Sequence, residues 1–131
     1  MDKSETYIKM RLAARPDLGM GVPMGFSIIW QSESILIDEK GDCYYSTEYA
    51  AVQLERQDQL QAIYLATRDY KDSRNAVIVM LDEFREWMFE DCTGLDWAHK
   101  VNLNVSAEQL WIAFDMLKLH NKIWDGEKWI K

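Results

Sequence analysis

Ser106-Ala107-Glu108-Gln109-Leu110-Trp111-Ile112-Ala113-Phe114-Asp115-Met116-Leu117-Lys118-Leu119-His120 reads as the clearest helix of the chain. Its start is a capping box, in which a serine hydroxyl accepts from the third amide that follows and a glutamine reaches back to the serine's own amide. Leu110, Ala113, Phe114 and Leu117 recur at helical spacing and mark a core-facing stripe. Glu108, Asp115, Lys118 and Lys122 fall on steps of three and four around another face, and Trp111 fills the gap among them. That spacing predicts Trp111 facing outward, toward a ligand or another chain, with packing under the C-terminal arm as the alternative. Asn121 and Lys122 close the helix, Asp125-Gly126 is a turn signal between Trp124 and Trp129, and 128–131 is a short strand or an arm.

Upstream, Ser4 to Arg15 is predicted as a short helix capped by Ser4 and stopped by Pro16. Residues 17–25 read as a loop holding Gly19, Gly21, Pro23 and Gly25. Phe26–Trp30 and Ser34–Asp38 are strand candidates, and residues 35–46 read as a hairpin turning at Gly41. Tyr49–Glu55 is strand or extended loop. Asp58 to Arg68 is predicted helical, with Asp58 as cap and Leu60, Ile63 and Tyr64 on one face. Val77 to Glu90 is predicted as a second long helix with Val77, Met80, Leu81, Phe84 and Met88 inward, although its β-branched opening also suits a strand. Asp91 to Val105 is read as a connection. The expected fold is α+β, a small antiparallel sheet with about four helices in a single compact domain over residues 1–131.

At 131 residues and 48% hydrophobic, the chain is long and apolar enough to fold without a disulfide or metal. A net charge of −7 argues against broad, charge-driven binding to DNA or RNA. No run approaches the ~20 apolar residues of a membrane helix. The opening residues lack the basic start and apolar stretch of a secretion signal. Cys43 and Cys92 read as reduced, half-buried thiols, which places the chain in a cytoplasm.

Catalytic signatures are sparse. Gly19-Met20-Gly21 is followed by Val22-Pro23 rather than by the Lys and Ser/Thr of a phosphate loop, and no serine elbow is present. Two histidines and two cysteines at scattered positions do not make a zinc site, so neither metal nor cofactor is expected. His120 suits a helix C-terminus, and His99 has no evident role. Asp82, Glu86 and Glu90 lie four apart and would serve a metal-dependent hydrolase, a solvated helix face, or an imitation of nucleic-acid phosphates toward a basic partner. Basic residues form two sets: Lys9, Arg11 and Arg15 in the first helix, and Arg56, Arg68, Lys71 and Arg74 around the second. Brought together, they would bind a small anion or nucleotide through charge-assisted bonds, with Trp111 as the stacking platform. The candidate ligand residues are therefore Lys9, Arg11, Arg56, Arg68, Arg74 and Trp111, and no catalytic residue is assigned.

Three blocks carry a resemblance: Glu5-Thr6-Tyr7-Ile8-Lys9-Met10, then Arg56-Gln57-Asp58-Gln59-Leu60-Gln61, then Glu108 to Met116 continuing through Asn121-Lys122-Ile123-Trp124-Asp125-Gly126-Glu127-Lys128-Trp129. Together they resemble a family of small uncharacterised proteins of phages and prophages of Gram-positive bacteria. That pattern usually has proline before the arginine of the middle block, where this chain has Glu55. The resemblance implies a small accessory protein of the bacterial host cell's cytoplasm that counteracts host antiviral defence by binding. The first expectation is a non-catalytic, homo-oligomeric sponge for a nucleotide-type immune signal. The second is an acidic inhibitor of a host defence nucleoprotein, and the third a small metal-dependent hydrolase using residues such as Asp82 and Glu86. No membrane association or direct nucleic-acid binding is expected.

Overall fold

The computed structural model describes residues 2–19, 35–37, 43–44, 52–67, 73–100 and 105–131. Helix α1 spans Glu5–Ala13, and the Ser4 hydroxyl accepts from the Tyr7 amide at its N-terminus. Pro16 does not end helical structure. It sits in the first turn of α2, Arg15–Leu18, where its missing N–H costs nothing. Helix α3 spans Gln57–Ala66. Its N-terminus is closed by the Gln59 side chain accepting from the Arg56 amide, so Arg56 rather than Asp58 is the cap residue.

Helix α4 spans Ser73–Glu86 and runs into a π-helical turn, Trp87–Asp91, closed by the Cys92 amide donating to the Trp87 carbonyl at 2.7 Å. The strand alternative for its opening is not taken. Its core stripe is rotated from the expected one: Ala76, Met80 and Trp87 are buried, whereas Val77 and Leu81 are exposed. The expected connection over 91–105 contains a short helix, α5, Asp96–Lys100.

Helix α6, Ala107–His120, is the centre of the molecule, with α1, α3 and the last hairpin packed on it. The Ser106 hydroxyl caps it as expected, accepting from the Gln109 amide at 3.1 Å. Asn121 stops it in a left-handed conformation, and the Lys122 amide reaches back to the Met116 carbonyl.

Two small antiparallel sheets complete the described fold. Strands β1 (Ile35–Ile37), β2 (Cys43–Tyr44) and β3 (Val52–Leu54) lie in the order β2-β1-β3. Leu36 opposes Tyr44 on one side and Gln53 on the other, so the two strands of the expected hairpin pair, its turn at Gly41 lying outside the described residues, and the ambiguous 49–55 segment supplies a strand. Strands β4 (Ile123–Trp124) and β5 (Trp129–Ile130) pair across the Asp125-Gly126 turn, with Trp124 opposite Trp129. The fold is α+β and mostly helical, with six α-helical segments among the described residues. The strand candidate at 26–30 lies outside the described residues.

The core is aromatic. Phe114 on α6 meets Tyr64, Phe84, Trp87 and Trp111 at centroid separations between 4.9 and 5.5 Å. Such pairs stabilise beyond their buried area, by about 0.5–1.5 kcal/mol each.

Candidate functional site

Two features stand apart from ordinary packing: a polar cluster buried between α1, the end of β3 and α6, and an acidic, apolar surface along α4 and the π turn.

The buried cluster begins with Arg11, which α1 directs inward. Its Nε donates to Glu55 Oε2 at 2.6 Å and its Nη2 to Glu55 Oε1 at 3.0 Å, a two-pronged pair fully withdrawn from solvent. Nη2 also donates to the Gly19 carbonyl at 2.8 Å, fixing the end of α2. One turn earlier on α1, the Tyr7 hydroxyl donates to the Glu55 carbonyl at 2.6 Å. Burial, and then the charge of Glu55, push the Tyr7 phenol far above its ordinary range, so it acts as a hydrogen-bond donor and not as an acid.

Asp115 on α6 adjoins this cluster. It is fully buried, and among the described residues neither carboxyl oxygen has a hydrogen-bond partner; Arg11 Nη1 is likewise unmatched. Desolvation first, and the charge of Glu55 second, raise the Asp115 pKa well above that of an ordinary aspartate. The expected polar stripe of this helix is therefore corrected at two positions. Asp115 and Trp111 point into the molecule because α1, β3 and α4 cover that face. Trp111 is 2% exposed and stacks on Phe84 with centroids 3.9 Å apart and planes 6° from parallel. Lys118 does remain exposed, its ammonium 5.9 Å from the centroid of the Phe114 ring.

The candidate ligand residues have separate engagements. Lys9 pairs with Glu127 of the last hairpin, Arg11 is held by Glu55, and Arg56 bonds Asp58 at 3.1 Å. Trp111 is in the core. Arg68 and the side chain of Arg74 lie outside the described residues, as do Lys71 and the side chains of His99 and Cys43. His120 Nδ1 lies 3.9 Å from Asp17 at the helix end, and the nearer partner of Asp17 is Lys122 at 2.7 Å. Cys92 is exposed rather than half-buried, with its thiol donating to the Met88 carbonyl.

The surface feature lies on the side of α4 away from the core. Ile78 is 65% exposed and Phe89, on the π turn, 73%. Val77 and Leu81 are also exposed. Around them stand Asp82, Glu86, Glu90 and Asp91, all exposed. Arg85 bridges Asp82 at 3.2 Å and Glu90 at 3.7 Å, which places those two carboxylates on one side of the element. Among the described residues, no group of three or more His, Cys, Asp or Glu side chains is arranged to hold a metal ion. No helix of the described residues is long and apolar enough to cross a membrane.

No family model matches the chain, and neither a curated protein nor a solved structure matches it.

Proposed function

We propose that the protein acts by binding, as a small phage-type accessory protein that counteracts host defence, and that its target is a basic host nucleic-acid-binding protein. The observation that carries this reading is the exposed face of α4 and the π turn. Large apolar side chains are left in water there, at Ile78 and Phe89, among four exposed carboxylates. Apolar groups set among charges that are mostly of one sign, here four carboxylates with Arg85 between two of them, are the make-up of a docking surface. The sign selects a cationic partner, such as a surface that otherwise receives phosphates. The overall charge of −7 would speed that encounter.

Capture of a nucleotide-type signal draws less support. Four of its six candidate residues, Lys9, Arg11, Arg56 and Trp111, are engaged within the chain.

The test is affinity capture from a bacterial extract with the wild-type chain, Phe89→Ser, and the double variant Asp82→Lys with Glu86→Lys. The expected catch is a nucleic-acid-binding protein that duplex DNA or RNA displaces and both variants lose. A catch that the variants retain and nucleic acid does not displace would overturn the reading, as would no catch at all. Intact nucleotide recovered from the denatured protein would replace it with the sponge.

A further inference from the structure

We infer that Asp115 is carried as the neutral acid inside the folded chain, so that the packing of α1 and the end of β3 on α6 depends on one bound proton and loosens as pH rises. The inference goes beyond the docking surface and does not depend on it.

Placement carries the argument. Asp115 is fully buried on the central helix, and among the described residues no donor reaches either of its oxygens. A bare carboxylate there would have neither water nor a hydrogen bond to spread its charge. Taking up a proton costs far less than burying the ion. The cation on α1 does not answer this charge: Arg11 gives two bonds to Glu55 and a third to the Gly19 carbonyl, and its remaining nitrogen, Nη1, makes no bond to Asp115. Glu55 is the acceptor of that pair, and its negative charge bears on Asp115.

The other titratable groups on the elements around α6 do not relieve this. Tyr7 on α1 spends its proton on the Glu55 carbonyl, and Tyr64 on α3 donates to Glu83 of α4. Asp58 at the start of α3 is held by Arg56. On the last hairpin Asp125, Glu127 and Lys128 are exposed, and on α6 itself Lys118 is exposed and Glu108 half-buried.

Because the Asp115 pKa is raised on folding, the folded chain binds one proton more than the unfolded chain between the ordinary aspartate value and the raised one. The stabilisation is fully present below the ordinary value of 3.8 and is lost as pH rises toward the folded value. The folding equilibrium constant falls up to tenfold per pH unit across that window. Once Asp115 ionises, two carboxylate charges act on one another away from water, and their repulsion loosens the end of β3, with α1 held to it through Arg11 and Glu55, from α6.

The experiment follows denaturant unfolding of the full chain from mildly acidic to mildly alkaline pH, for wild type and Asp115→Asn. Wild type should lose stability with rising pH until the folded acid has titrated, while Asp115→Asn stays flat over the same range. Amide exchange, corrected for its intrinsic pH dependence, should show α1 losing protection in wild type alone. The same slope in both proteins would overturn the inference. Should Asp115→Asn fail to fold, wild type decides by carboxyl-carbon NMR. One aspartate should then titrate far above the others; all aspartates titrating in the ordinary range would refute a buried acid.

Discussion

Trp111 shows how one residue is misassigned by its own helix. Its steps of three and four from Glu108, Asp115, Lys118 and Lys122 read as a polar face, yet Phe84 lies flat against its ring and solvent reaches 2% of it. What covers that face comes from α4, α1 and the end of β3, far away in sequence, and helical periodicity carries no record of them. Asp115 is hidden for the same reason, because an aspartate at a surface spacing gives no sign of being buried. Arg11 was visible as a cation but its partner was not. Glu55 was visible as an acid, but it lies 44 residues from Arg11 and no local spacing ties the two. Truncating Trp111 now has a definite expectation. Trp111→Ala and Phe114→Ala should both cost about 3–5 kcal/mol through the cavities they leave. Denaturant melts of the two variants check this, and a loss below about 0.5 kcal/mol at Trp111 would return that side chain to the surface.

At the scale of elements, ends were more legible than faces. Ser106, Ser4 and Asn121 sit where side-chain oxygens and left-handed residues are needed, and those requirements are local. The capping box is only half realised, however. Gln109 does not reach back to Ser106; its amide donates instead to Asp2 at 2.8 Å and to Ser4 at 3.2 Å. The orientation of α4 was not local. Val77 and Leu81 fit an apolar stripe as well as Ala76 and Met80 do, and packing on the Trp87–Phe114 cluster decides between them. The segment after the π turn returns through Gly94, at φ +76°, where an added Cβ would lie 2.5 Å from Ile123 Cγ2. Gly126, at φ +105° in the last hairpin, has open space around the same position. Gly94→Ala therefore carries both backbone strain, about 1–3 kcal/mol, and a clash, whereas Gly126→Ala carries the strain alone. Thermal melts should rank wild type above Gly126→Ala and Gly126→Ala above Gly94→Ala.

Over the whole molecule, the described segments near the two ends of the chain are tied across the fold, the last hairpin to α1 and Asp2 to the start of α6. Trp129 Nε1 donates to the Met10 carbonyl at 2.9 Å, Lys122 holds Asp17 beside α2, and Asp2 accepts from Ser106 at 2.6 Å and from Gln109. Asp2 also accepts from the Ser4 amide at 2.7 Å. Partial burial alone would raise the Asp2 pKa, but the bonds from Ser106, Ser4 and Gln109 outweigh it, and the net shift is downward from 3.8. A depressed carboxyl stabilises the fold fully above its unfolded pKa and loses that contribution as pH falls through the folded value. Asp2 and Asp115 thus oppose one another: the first gives an acid limb on which stability falls with falling pH, the second a limb on which it falls with rising pH. Asp2→Asn should be less stable than wild type at neutral pH, since the charge-assisted bonds are weakened. The gap should narrow below the ordinary aspartate range, where the wild-type carboxyl is itself protonated. Unfolding of the two proteins across the acid range checks the sign, and a gap that widens with acid would show that the N-terminal tie is not held by the ionised Asp2.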